Sequence, residues 1–137
     1  QILCVTSRRT DPKVENLFFQ NIKQISEHSI WFHQGGANAD LAKLFGSAQH
    51  IMVTEDSAMM ISEAISSGNL VTTIYPKVIN SPSRYDNQIQ HYLNRGFMSR
   101  SSMEATISLD FNRKNSSALI EGVQKQLVKS IIEKIQL

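Results

Sequence analysis

Apolar positions along this chain come in two patterns. Short runs are apolar at every position, and between them lie longer stretches where apolar residues recur every three or four places. The first run, Ile2-Leu3-Cys4-Val5, suits a strand covered on both faces. Asp11 and Pro12 follow as an N-cap and a first helical residue. Val14, Leu17, Phe18, Ile22 and Ile25 fall on one helical face, so the spacing predicts a helix to about Glu27 with that face inward. Ser29 to His33 reads as a second strand and Gln34 to Asn38 as a loop. Asp40 to Phe45 reads as a short helix with Leu41, Leu44 and Phe45 inward, stopped near Gly46.

The stretch from His50 to Pro76 organises the rest. Ile51-Met52-Val53 leads through the polar turn Thr54-Glu55-Asp56-Ser57 into a helical pattern from Ala58 to Ser67, which Gly68-Asn69 stops. Ala58, Ile61, Ala64 and Ile65 make its apolar stripe, and Glu63 points elsewhere. Leu70 to Tyr75 is a further run of strand formers. Arg84 to Arg95 is helical, with Tyr85, Ile89, Tyr92 and Leu93 inward, closed by Gly96. Phe97 to Asn115 reads as loop, with a short strand at Thr106 to Leu109. Ser116 or Ser117 then caps a long helix along which Leu119, Val123, Leu127, Ile131 and Ile135 recur.

Strands alternating with helices predict an α/β fold with a parallel sheet, Rossmann-like and three-layered. The favoured strand order is second, first, third, fourth. Residues 1–137 are expected to form a single domain. In such a sheet, ligands gather at the carboxyl ends of strands, beside helix N-termini. Two loops qualify: Ser7-Arg8-Arg9-Thr10 and Glu55-Asp56-Ser57-Ala58.

Composition narrows the classes. Of 137 residues, 41% are hydrophobic and 19% charged, which is enough for a real core. A net charge of +2 gives no basic field for nucleic acid. Cys4 is the one cysteine and excludes an internal disulfide. His28, His33, His50 and His91 show no metal-ligand spacing, so no metal is expected. Gly35-Gly36 belongs to no dinucleotide or P-loop motif. There is neither a visible signal peptide nor an apolar run near the ~20 residues of a membrane span. A cytoplasmic location is therefore expected, with peripheral membrane contact left open. The chain opens at Gln1 without Met, which reads as a piece of a longer protein.

Arg8 and Arg9, with the hydroxyls of Ser7 and Thr10, suit an anion at a helix N-terminus, because a guanidinium fork pairs well with phosphate. The alternative is two solvated surface arginines. Ser57 with the Ala58 amide offers a second phosphate contact, or simply a helix cap. Glu63 could accept from the two hydroxyls of a ribose, or stand as an ordinary exposed glutamate.

Taken together, VTSRRT (Val5 to Thr10), the stretch from Gly35 to Val71 and RYDNQIQHYLNRG (Arg84 to Gly96) resemble one family. It is the mitochondrial-fission, "elongated mitochondria" type family of plants and bacteria, whose bacterial members were often labelled nucleoside-diphosphate-sugar epimerases. Where that family carries Asn-Pro-Tyr, this chain has Asn38-Ala39-Asp40, and the likeness fades beyond Gly96. The resemblance implies the GT-B glycosyltransferase architecture, with this chain as the C-terminal, donor-binding domain and a separate N-terminal domain as partner. It implies that Ser7, Arg8, Arg9, Thr10, Ser57 and Ala58 embrace a diphosphate and that Glu63 holds the ribose. The base would lie near Gln34, Gly35, Gly36 and Asn38. The nucleotide sugar would be substrate or ligand, with no other cofactor; the catalytic residues stay unknown, since in that architecture the base often comes from the N-terminal domain. Transfer, epimerisation and a non-catalytic adaptor role all stay open.

Overall fold

β1 (Ile2–Val5) and β2 (Ser29–Phe32) lie side by side and parallel, with Cys4 opposite Trp31. A parallel pair needs a crossover, and α1 (Pro12–Ile25) supplies it. The computed structural model describes residues 1–7, 9–25, 29–32, 40–75, 83–105, 121–122, 125–126, 128–129 and 132–133. The chain divides into two compact units, Gln1–Leu44 and Phe45–Leu137, and each is taken by itself.

In the first unit, α1 begins as its cap residues require. The Asp11 carboxylate accepts the Lys13 N–H at 2.7 Å, and the Asp11 carbonyl accepts the Glu15 N–H at 2.9 Å. The helix ends near the expected place but is rotated. Val14, Leu17, Phe18 and Ile25 stand exposed, while Glu15, Phe19 and Ile22 form the more covered side. The reason lies at position 15. Glu15 is only 8% exposed and accepts a hydrogen bond from the Thr6 hydroxyl at the end of β1. A buried carboxylate must be hydrogen-bonded, and meeting that need fixes the rotation of the helix about its axis. α2 (Leu41–Ser47), which runs across the boundary between the units, opens at Asp40, whose carboxylate accepts the Lys43 N–H at 3.2 Å, and ends beside Gly46 as expected.

The second unit is built on three parallel strands in the order β3 (His50–Thr54), β4 (Leu70–Tyr75), β5 (Ser99–Ser102). α3 (Ala58–Ser66) connects the first two and α4 (Ser83–Asn94) precedes the third. Side chains alternate along β3, with Ile51 and Val53 buried and Met52 and Thr54 exposed. The core joins that face to Ile61, Ala64 and Ile65 of α3, Val71 of β4, Ile89 of α4 and Met98. The expected stripe of α3 is thus the buried one. Gly68 (φ +78°) follows α3 and Gly96 (φ +71°) follows α4, each in the left-handed region that a side chain resists. A polar line stitches the strands together: the His50 ring Nε2 to Thr72 Oγ1 at 2.8 Å, and Thr72 Oγ1 to Ser99 Oγ at 2.8 Å.

β5 overturns the expectation that Phe97 onward is loop. Its residues, Ser-Arg-Ser-Ser, carry no strand pattern, and pairing with β4 makes them a strand. The strand expected at Thr106 to Leu109 lies outside the described residues, as do Leu119, Val123, Leu127, Ile131 and Ile135. The described residues between 121 and 133 are helical, with Val128 and Ile132 exposed. Among the described residues no helix is long and apolar enough to cross a membrane.

Candidate functional site

Each unit, taken by itself, has one loop at the carboxyl end of a parallel strand, just before a helix. In the first unit this is the turn after β1. The Thr10 N–H donates to the Ser7 carbonyl at 3.0 Å, closing a four-residue turn. The hydroxyls serve the same turn. Thr10 Oγ1 accepts the Ser7 N–H at 3.1 Å, Ser7 Oγ accepts the Arg9 N–H at 3.1 Å, and the two oxygens lie 3.4 Å apart. Ser7 and Thr10, expected as phosphate contacts, therefore first shape the loop. Arg9 is exposed at its tip. Arg8 lies outside the described residues. Glu15 was not singled out by sequence reasoning, yet it anchors the base of this loop through Thr6.

In the second unit the loop runs from Thr54 to Ala58. Thr54 Oγ1 donates to Asp56 Oδ1 at 2.6 Å. Ser57 has extended backbone (φ −138°, ψ 102°), and its hydroxyl oxygen accepts the Met60 N–H at 3.4 Å, so it caps α3. The amides of the first helical turn have no intrahelical acceptor and point out of the helix end. Ala58 is half-buried there and Met59 is exposed. Glu63 is exposed on α3, off the buried stripe, about 9 Å along the axis from Ser57.

Glu55 holds this loop in place with every polar atom it has. Its N–H donates to the Ile74 carbonyl at 2.9 Å, and its carbonyl accepts the Tyr85 hydroxyl at 3.0 Å. Its carboxylate, 2% exposed, accepts from Thr73 Oγ1 at 2.7 Å, from Arg100 Nε at 2.8 Å and from Arg100 Nη2 at 2.7 Å. The Arg100 guanidinium also lies 4.3 Å over the Tyr75 ring. The Glu55 hydrogen bond, followed by its charge, holds Arg100 above its already high ordinary pKa against the opposing effect of burial. Burial first, then the charges of Glu55 and Asp56, push the Tyr85 hydroxyl up.

Sequence reasoning placed Glu55 in a ligand loop but gave it no partner. Arg100 lay in a stretch read as loop, 45 positions away, with no local signal to connect the two. The expected base contacts Gln34, Gly35, Gly36 and Asn38 lie outside the described residues. Among the described residues no group of three His, Cys, Asp or Glu side chains could hold a metal. A surface hollow along Glu121, Lys125, Val128, Lys129, Ile132 and Glu133 is built from neither loop.

The family described as Mitochondrial fission ELM1 matches residues 1–120, well past the point where the likeness was expected to fade. Among curated proteins and among solved structures, nothing matches this chain.

Proposed function

Because this chain belongs to the mitochondrial fission ELM1 family, we propose that it is the nucleoside-diphosphate-sugar-binding domain of a GT-B-type, glycosyltransferase-like protein. The observation that carries this reading is the β3–α3 loop. Glu55 ties it to β4, β5 and α4, so the amides of Ala58 and Met59 at the start of α3 are held ready for an oxyanion. The turn after β1, in the first unit, is by itself another strand-to-helix loop of the same kind, with Arg9 at its tip. Exposed Glu63 suits a pair of ribose hydroxyls. In transfer, the sugar's anomeric carbon exchanges the nucleoside diphosphate for an acceptor oxygen. Arg8 or Arg9 then neutralises the departing diphosphate, and the N-terminal domain supplies the acceptor. An epimerase of the same architecture would bind the same donor and release an altered sugar.

A second reading, a non-catalytic adaptor of the mitochondrial-fission kind, draws on α1. Val14, Leu17, Phe18 and Ile25 present an exposed apolar face there, which suits protein contact better than chemistry.

Thermal denaturation with uridine diphosphate, guanosine diphosphate and pyrophosphate separates the readings. The donor-binding reading expects a nucleoside diphosphate to raise the melting temperature. It expects Arg9→Ala to weaken all three ligands, and Glu63→Ala to weaken the nucleotides but hardly affect pyrophosphate, which has no ribose. If none of the three shifts the wild type, the adaptor reading takes its place. The chain alone is expected to turn over no nucleotide sugar.

A further inference from the structure

We propose that Arg100 is a ligand-binding residue of the second unit, whose outer edge takes a phosphate-type oxyanion while Glu55 and Tyr75 hold it rigid. The ligand class rests on the nucleotide-sugar reading. The site itself rests on the geometry that brings Arg100 of β5 to Glu55 and to the ring of Tyr75 at the end of β4.

A guanidinium carries five N–H donors. Glu55 occupies two of them, on Nε and on one side of Nη2, at 2.8 and 2.7 Å. The Tyr75 ring covers one face at 4.3 Å. The remaining donors, on Nη1 and the far side of Nη2, have no acceptor among the described residues, and the side chain keeps 24% of its surface in solvent. This leaves a planar fork immobilised by a carboxylate and an aromatic ring, with donors on its outer edge that no described acceptor takes. Such an edge can give two parallel hydrogen bonds to a phosphate, with little rotamer entropy left to lose.

Stability alone is a weak reason for the arrangement. Burying an ion pair rarely gains over a well-packed apolar pair, because both charges must be taken out of water. Here the buried member is Glu55, while Arg100 keeps part of its side chain in solvent and lies over the ring of Tyr75, the last residue of β4.

The charges around the edge give the proposal a direction. Glu55 cancels the charge of Arg100, and Asp86 adds a second negative charge close enough to act on it. Arg100 therefore holds an oxyanion by directed hydrogen bonds and not by net field, and Glu55 weakens the hold it makes possible. Removing the carboxylate's charge while keeping its shape should tighten the oxyanion even as the fold loses stability. A purely structural pair predicts the opposite, with binding falling alongside stability.

The test is calorimetry of the full chain with pyrophosphate and uridine diphosphate, for wild type, Glu55→Gln, Arg100→Lys and Arg9→Ala. Each variant's melting temperature is measured and binding is read well below it. Arg100→Lys keeps the charge and loses the fork, so both ligands should weaken about tenfold. Glu55→Gln should bind pyrophosphate more tightly than wild type despite a lower melting temperature. Should Glu55→Gln not fold, Asp86→Asn replaces it, and removing that charge while leaving the Glu55 pair intact should tighten pyrophosphate. If Arg9→Ala weakens the ligands but Arg100→Lys does not, Arg100 is no ligand residue and the nucleotide-sugar reading stands. If Glu55→Gln binds more weakly than wild type, the pair is structural and the proposal falls. If the wild type binds neither ligand, the nucleotide-sugar reading and this proposal fall together.

Discussion

Glu55 shows how one residue can carry a loop. Its amide, carbonyl and carboxylate reach β4, α4 and β5, so no local pattern could reveal what it does. Breaking its pair with Arg100 leaves a buried charge without compensation. Arg100→Ala should therefore cost about 3–5 kcal/mol, while replacing both partners by Leu and Met should cost less. Urea denaturation of the two variants checks the order. Tyr85 gives the same cluster a pH signature. Its hydroxyl is held above the ordinary value of 10.0, by burial and then by Glu55 and Asp56, so the folded chain keeps that proton longer than the unfolded one. Stability from this source is intact below pH 10 and is lost as pH rises through 10 toward the folded value. Tyr85→Phe should flatten that alkaline loss in a series of melts from pH 8 to 11.

Among the elements, α3 and α1 make an instructive pair. Both are amphipathic by spacing, yet only α3 buries the stripe its spacing selects. Ile61 is 0% exposed and Glu63, two positions on and facing the other way, is exposed. Ile61→Asp should therefore unfold the second unit, because it places an unpaired charge against the sheet, while Glu63→Gln should leave the melting temperature nearly unchanged. Equal losses in the two variants would mean that the helix presents a different face. In α1 the helix was legible from Asp11, Pro12 and the apolar recurrence, but its rotation was not. That rotation is decided by Glu15 and Thr6, a polar contact that no hydrophobic pattern encodes.

At the scale of the whole molecule, the buried apolar cluster lies in the second unit, with β4 between two partners. Amides of β4 have acceptors on both sides and buried side chains around them, so they should exchange slowest with solvent. The amides at the start of α1, in the first unit, should exchange early. Hydrogen-exchange mass spectrometry reads both directly, and early exchange across β4 would show that the core has been misplaced.

Local patterns determined most of the secondary structure. Cap residues, solid apolar runs and stop signals located β1, α1, β3, α3, β4 and α4 closely, because each rests on interactions within a few positions. They also marked the two strand-to-helix loops as the place to look for a site. Tertiary structure alone decided the rest. Ser99–Ser102 becomes a strand because β4 offers it a free edge of backbone donors and acceptors, a gain that its own side chains do not announce. Glu15 turns α1 because a carboxylate leaving water must find a donor. Arg100 meets Glu55 because parallel strands bring distant positions to one edge, and contacts between positions so far apart in the chain leave no periodicity to read.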